Sequence, residues 1–171
     1  MSEWLVHTTK LRTIMKTISS TIYPAFVFVL LASFSLLTDR PLSAASMTTV
    51  HVVGDAAGLL PPPYNSPVGI HITVDVQGGS VAALEGSGAS HATTRANNVY
   101  HLTGSVIGTV VQLSGTIVKS DDKFLEGSPA EVEADTTTGT LTVTLGPLAG
   151  GPLAGQTLVL EGSGMAFVTG N

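Results

Sequence analysis

After its first 45 residues, the chain alternates apolar and polar side chains with a period of two, which is typical of β-strands that bury one face. The clearest strand is Gly69 to Gln77, in which one face carries Ile70, Ile72, Val74 and Val76. No apolar pattern of helical period persists over three turns, so we expect little helix.

Two β-hairpins are predicted from the turn residues between such strands. Gly78-Gly79 follows the first strand, and a two-glycine loop would let Ser80 to Glu85 return with Val81 opposite Val76. The second hairpin turns through Thr136 to Gly139. Its apolar face carries Val132, Ala134, Leu141, Val143 and Leu145.

Further short strands complete an all-β domain. The apolar positions change phase, from even to odd residue numbers, after Leu102, so a bulge or turn is expected near Gly104 to Gly108. We interpret Gly86-Ser87-Gly88 and Gly162-Ser163-Gly164 as turns. The additional strands are Thr48–Val53, Val99–Val106, Thr109–Val118, Thr157–Leu160 and Met165–Val168. We therefore expect a single antiparallel β-sandwich of about eight strands, with a small antiparallel β-barrel as the alternative.

The N-terminal segment has the three parts of a secretory signal peptide. A positive start at Met15-Lys16 precedes an apolar run of 13 residues from Ala25 to Leu37, and small side chains follow at Ser43 to Ser46. A transmembrane helix needs about 20 apolar residues, so we expect cleavage, with an uncleaved membrane anchor as the alternative. Residues 1–45 are thus assigned to a signal peptide, with Met15 as the expected true start and a long N-terminal region from Met1 as the alternative. Residues 46–171 are assigned to a secreted or periplasmic domain.

The predicted mature domain is acidic and has no cysteine. It carries ten Asp and Glu side chains against three Lys and Arg, which gives a formal net charge of −7. Nucleic-acid binding draws on clustered basic side chains, so no nucleic-acid partner is expected, and a membrane is expected only through an uncleaved leader. Without cysteine there are no disulfides, thiolate metal ligands or catalytic thiols.

Four histidines in the domain raise the question of a metal site. His51 and His71 are predicted on the outer faces of two strands, and with Asp55 or Asp75 they would bind a divalent metal if those strands paired in the right register. The sequence has neither His-x-His nor His-x-x-x-His spacing. We therefore expect no bound metal and no cofactor, and these four residues are the candidate ligands if a metal does bind.

No motif of an enzyme active site is recognised, and the Gly-x-Ser-x-Gly pattern of serine hydrolases is absent from the sequence. We expect an exported, non-enzymatic domain with a binding or structural role, whose partner is an unidentified protein or small-molecule ligand. A small barrel that binds an apolar small molecule is the second hypothesis. A hydrolase or isomerase that uses a histidine–carboxylate pair is the third, and no catalytic residue is assigned.

The leader assignment predicts cleavage after Ala45, with Ala44 as the second choice, because Ser43 and Ala45 place small side chains at positions −3 and −1. N-terminal sequencing of the exported protein should return Ser46-Met47-Thr48. A membrane-bound product that keeps residues 1–45 would contradict the assignment.

Overall fold

In a computed structural model, the protein is described over residues 46–92 and 96–170, and the predicted signal peptide of residues 1–45 lies outside these ranges. Eight antiparallel strands of the described chain form a closed β-barrel. The strands are β1 (Thr48–Leu59), β2 (Pro67–Ser80), β3 (Ala83–Ala92), β4 (Asn97–Ile107), β5 (Val110–Ser120), β6 (Pro129–Asp135), β7 (Thr140–Leu145) and β8 (Leu158–Thr169). The described residues include no helix that is long and apolar enough to cross a membrane.

Each strand pairs with its sequence neighbour, and β1 also pairs with β8, which closes the sheet. The all-β prediction is therefore confirmed. Of the two architectures left open, the barrel forms and the preferred sandwich does not, because β1 is bonded along most of its length to β2 on one side and to β8 on the other. A sandwich would instead divide these strands between two packed sheets.

Alternate side chains of the strands fill the interior of the barrel. The predicted inward face of β2 is confirmed, since Ile72, Val74 and Val76 are fully buried. Tyr100 and Leu102 of β4 are equally buried. An eight-stranded barrel is just wide enough for such side chains to fill, so its centre is a packed core and not a channel.

The first hairpin forms, but its turn lies further along the chain than predicted. β2 continues through Gly78-Gly79, and the chain turns at Val81-Ala82. Val76 is therefore opposite Gly86 and not Val81. A Cβ on Gly78 would lie 1.8 Å from the carbonyl oxygen of Ala83. The glycine thus allows two strands to approach closely, which is a different role from the turn that its sequence context indicates.

Two other predicted turns are confirmed. Gly108, with a φ angle of 62°, lies in the turn from β4 to β5 and accounts for the change of apolar phase. The β6–β7 hairpin turns at residues 136–139, where Asp135 accepts hydrogen bonds from the main-chain N–H groups of Thr137 (2.7 Å) and Thr138 (3.1 Å). These bonds hold the pKa of Asp135 below its ordinary value.

Both Gly-Ser-Gly segments lie inside strands, so the prediction of turns there is wrong. Gly86-Ser87-Gly88 belongs to β3, and Gly162-Ser163-Gly164 joins two predicted strands into the single strand β8. A Cβ on Gly162 would lie 2.0 Å from the carbonyl oxygen of Asp55 in β1. These glycines permit neighbouring strands to approach closely, and a local sequence pattern does not distinguish that role from a turn.

The two ends of the barrel differ in the length of their connections. At one end, β2–β3 and β4–β5 are joined by tight turns and β6–β7 by residues 136–139. At the other end, which we call the mouth, the connections include residues 60–66, 121–128 and 146–157. The mouth is therefore the end at which connections contribute most side chains to a site.

Val74→Asp should destabilise the barrel by at least about 3 kcal/mol, because an unpaired carboxylate would replace an apolar side chain in the packed interior. Val99→Asp is the matched control, since Val99 is 39% exposed on the outer surface and lies opposite Lys119. We expect the control to cost less than about 1 kcal/mol. Urea unfolding followed by circular dichroism measures both changes, and equal losses would show that the faces are wrongly assigned.

Candidate functional site

A cavity of about 480 Å³, which we call the mouth cavity, opens at the mouth of the barrel. The strands supply part of its apolar lining, namely Val68, Ile70, Ala92, Leu145 and Leu158. The connections add Leu60, Ala96, Leu125, Leu148 and Leu153. The polar lining consists of Asn98, Asp121, Asp122 and Lys123.

The connection between β7 and β8 supplies two of the lining leucines from a tandem Gly-Pro-Leu-Ala-Gly repeat over residues 146–155. The N–H of Leu148 donates to the carbonyl of Gln156, and the N–H of Gly155 donates to the carbonyl of Leu148, both at 2.9 Å. These bonds fold the connection back on itself, with Leu148 buried and Leu153 half-buried. The repeat has neither a strand nor a helix period, so the sequence analysis missed its contribution to the site.

A hydrogen-bonded network of four polar side chains reaches the cavity through Asn98, its one member among the described lining residues. The hydroxyls of Ser90 and Tyr100 are 2.5 Å apart, and Asn98 Nδ2 donates to Ser90 Oγ at 3.4 Å. Asn98 Oδ1 accepts a hydrogen bond from the hydroxyl of Ser120 at 2.7 Å. No buried polar side-chain atom of the described residues lacks a hydrogen-bond partner. The network is therefore satisfied by the protein's own groups.

Tyr100 is the titratable member of this network. Burial raises the pKa of its hydroxyl above the ordinary value of 10.0, and hydrogen bonds with Ser90 and Asn98 oppose that rise. In the sequence, Tyr100 is assigned only to the predicted strand Val99–Val106. Its hydroxyl finds partners because the β3–β4 register places Ser90 directly opposite Asn98, which alternation within a single strand does not reveal.

Charged side chains lie at the rim of the mouth cavity. Asp121, Asp122 and Lys123 directly follow β5 and line the cavity. Lys123 Nζ lies 2.6 Å from Glu126 Oε1. This contact holds the pKa of Glu126 below its ordinary value, and it means that the ammonium group of Lys123 already has an anionic partner.

The candidate metal ligands lie on the outer surface of β1 and β2, away from the mouth cavity. His51 is opposite Asp75 and His71 is opposite Asp55, and each histidine contacts its partner through Nδ1, at 2.9 Å for His71. His51 and Asp55 are four residues apart on β1, which is about 13 Å along a strand. The structure thus forms two separate pairs and does not bring the four residues together. Within the ranges that the structure describes, no group of three or more His, Asp or Glu side chains could hold a metal ion.

The remaining histidines of the domain also face outward. His91 Nδ1 lies 2.6 Å from Asn97 Oδ1, and His101 Nε2 lies 3.5 Å from Glu85 Oε1. A histidine–carboxylate pair that catalyses a reaction has to face its substrate. None of these histidines lines the mouth cavity, and His71 and His91 instead border an open hollow in the outer surface.

Comparison of the chain with protein-family models, with curated proteins and with solved structures found no match. The site is an apolar cavity with a satisfied polar network on its inner side and charges at its rim.

Tyr100→Phe should change how the stability of the barrel depends on alkaline pH. Because folding raises the pKa of Tyr100, the stabilisation that this residue adds to the free energy of unfolding is fully present below the ordinary pKa of about 10. It is lost as the pH rises above that value, by up to about 1.4 kcal/mol per pH unit. We expect the protein to lose more stability between pH 8 and pH 11 than the Tyr100→Phe variant does.

Urea midpoints at the two pH values measure this difference. Tyr64→Phe is the control for the loss of a tyrosine hydroxyl from the surface, because Tyr64 is 50% exposed. If the protein and the Tyr100→Phe variant lose the same stability between pH 8 and pH 11, the assignment of a raised pKa to Tyr100 is wrong.

Proposed function

We propose that the protein is an exported, non-enzymatic β-barrel that binds a small apolar molecule in the mouth cavity. The observation that carries the proposal is a cavity of about 480 Å³ with a mostly apolar lining at one end of a closed barrel. Ligand cavities in proteins commonly measure about 300 to 1,000 Å³ and combine an apolar lining with a few polar groups. Among the three roles considered from the sequence, this geometry favours the small-molecule barrel. Export is supported by the leader pattern in the sequence alone.

The driving force for binding would come from the leucines of the connections. Leu60, Leu125 and Leu153 belong to three different connections, and each is only half-buried. An apolar molecule between them would remove their remaining exposed surface from water, at about 25 cal/mol per Å² of apolar area. A polar ligand would gain nothing from this part of the lining.

Hydrogen bonds between connections support the shape of the cavity. The N–H of Ala149 donates to the hydroxyl of Ser128 at 2.8 Å, which joins the β7–β8 connection to the β5–β6 connection. Gln156 Nε2 donates to the carbonyl of Pro62 at 3.2 Å, which joins it to the β1–β2 connection. Because these bonds order the connections before a ligand arrives, less conformational entropy is lost on binding.

A hydrolase or isomerase is less well supported by the geometry. The mouth cavity has neither histidine nor serine among its described lining residues. The two histidine–aspartate pairs are on the outer surface, where the side chains of His71 and Asp55 are 55% and 82% exposed. A catalytic pair benefits from a site that excludes water, which this position does not provide.

Titration with N-phenyl-1-naphthylamine, a neutral apolar dye whose emission rises in apolar surroundings, should show one bound molecule per chain. Ala92→Trp should weaken binding at least about tenfold, which is about 1.4 kcal/mol, because the indole would occupy the cavity that Ala92 lines. Ala89→Trp is the matched control, since Ala89 is exposed on the outer surface of the same strand.

Circular dichroism and thermal melting establish that both variants are folded before the comparison is made. Equal dye binding by the two variants, or no saturable binding by the unaltered protein, would overturn the proposal. Ala96→Phe provides a second obstruction of the same cavity if Ala92→Trp does not fold.

A further inference from the structure

We infer that the molecule taken by the mouth cavity has a cationic head group, an amine or ammonium, on an apolar body. This inference rests on the proposed function and adds the chemical class of the ligand. It is supported by the charges at the rim of the cavity and by the polar groups on its inner side, which are already hydrogen-bonded within the protein.

Neither of the rim aspartates is neutralised by a cation among the described residues. Asp121 Oδ2 accepts a hydrogen bond from the side-chain amide of Asn97 at 2.5 Å. Asp122 Oδ1 accepts one from the main-chain N–H of Phe124 at 3.0 Å. Both donors are electrically neutral, so neither carboxylate has a compensating positive charge in the described part of the chain.

The only cation of the described lining is unsuited to hold an anionic ligand. Lys123 Nζ is 2.6 Å from Glu126 Oε1, so an anion would have to compete with a carboxylate that is already in place. Among the residues that the structure describes, the rim carries a formal charge of −2, from Asp121, Asp122 and Glu126 against Lys123. Charges act more strongly beside a low-dielectric region than in bulk water, so this rim attracts a cation and repels an anion.

The inner side of the cavity does not offer an alternative place for a charged group. Asn98 is its polar residue there, and both of its side-chain polar atoms are hydrogen-bonded within the protein, to Ser90 and Ser120. A charge placed there would be desolvated without a partner, which costs far more than leaving it at the rim. The ligand is therefore oriented with its apolar body inward and its cationic head beside Asp121 and Asp122.

Three probes with the same ten-carbon chain test the inference: decylamine, which is protonated at pH 7, decan-1-ol, and decanoate. Each is used below its aggregation concentration to displace N-phenyl-1-naphthylamine from the protein. We expect decylammonium to bind about five- to tenfold more tightly than the alcohol, and decanoate to bind most weakly. Added salt should reduce the preference, because rim charges are screened by ions.

A pair of double variants locates the preference. Asp121→Asn with Asp122→Asn keeps the hydrogen-bond acceptors and removes two negative charges at the rim, and should abolish the preference while the affinity for decan-1-ol stays the same. Glu131→Gln with Glu133→Gln changes the net charge equally on the outer surface of β6, at residues that do not line the mouth cavity, and should keep the preference.

The outcomes separate this inference from the proposed function. If no probe displaces the dye, the proposed function fails. If decan-1-ol displaces the dye and decylammonium binds no more tightly than the alcohol, the cavity binds apolar molecules and the inference of a cationic head group is wrong. The same conclusion follows if decanoate binds more tightly than decylammonium. If both double variants lose the preference equally, the preference comes from the overall charge of the protein, and the role of the rim is wrong.

Discussion

Pairing between β1 and β8 is the interaction on which the rest of the structure depends, because it turns a meander of strands into a closed barrel. That pairing requires residues without side chains where the two strands approach. A Cβ on Gly54 of β1 would lie 2.6 Å from the Cα of Gly164 in β8, a distance that real Cβ atoms do not reach. Closure in turn puts one face of each strand into a shared interior and removes the need for a second sheet.

Closure also decides where a ligand is able to bind. The interior is filled by strand side chains such as Val74, Tyr100 and Leu102, so the centre of the barrel has no room for a ligand. At the mouth, however, long connections contribute additional leucines. The cavity is the space between these connections and the packed core. The acidic rim follows from the same arrangement, because Asp121-Asp122 begins one of those connections directly after β5.

Features that depend on neighbouring residues in the sequence were predictable, and features that depend on neighbouring strands were not. The inward face of Ile70 to Val76 and the hairpin around Thr136 to Gly139 follow from period-two alternation and turn chemistry. Closure, the continuous β8 through Gly162-Ser163-Gly164, and the separation of His51 from His71 depend on register between distant strands. The site was missed because Leu148 and its neighbours lie in a connection that has no periodic pattern.

Intermolecular nuclear Overhauser effects test the central claim most directly, since they report which methyl groups touch a bound molecule. With N-phenyl-1-naphthylamine bound to methyl-labelled protein, the account predicts contacts to Leu148 and Leu153 at the mouth and none to Leu102 in the packed interior. Contacts confined to the outer surface of β8, where Val159 and Met165 are 48% and 62% exposed, would contradict a ligand site at the mouth of the barrel.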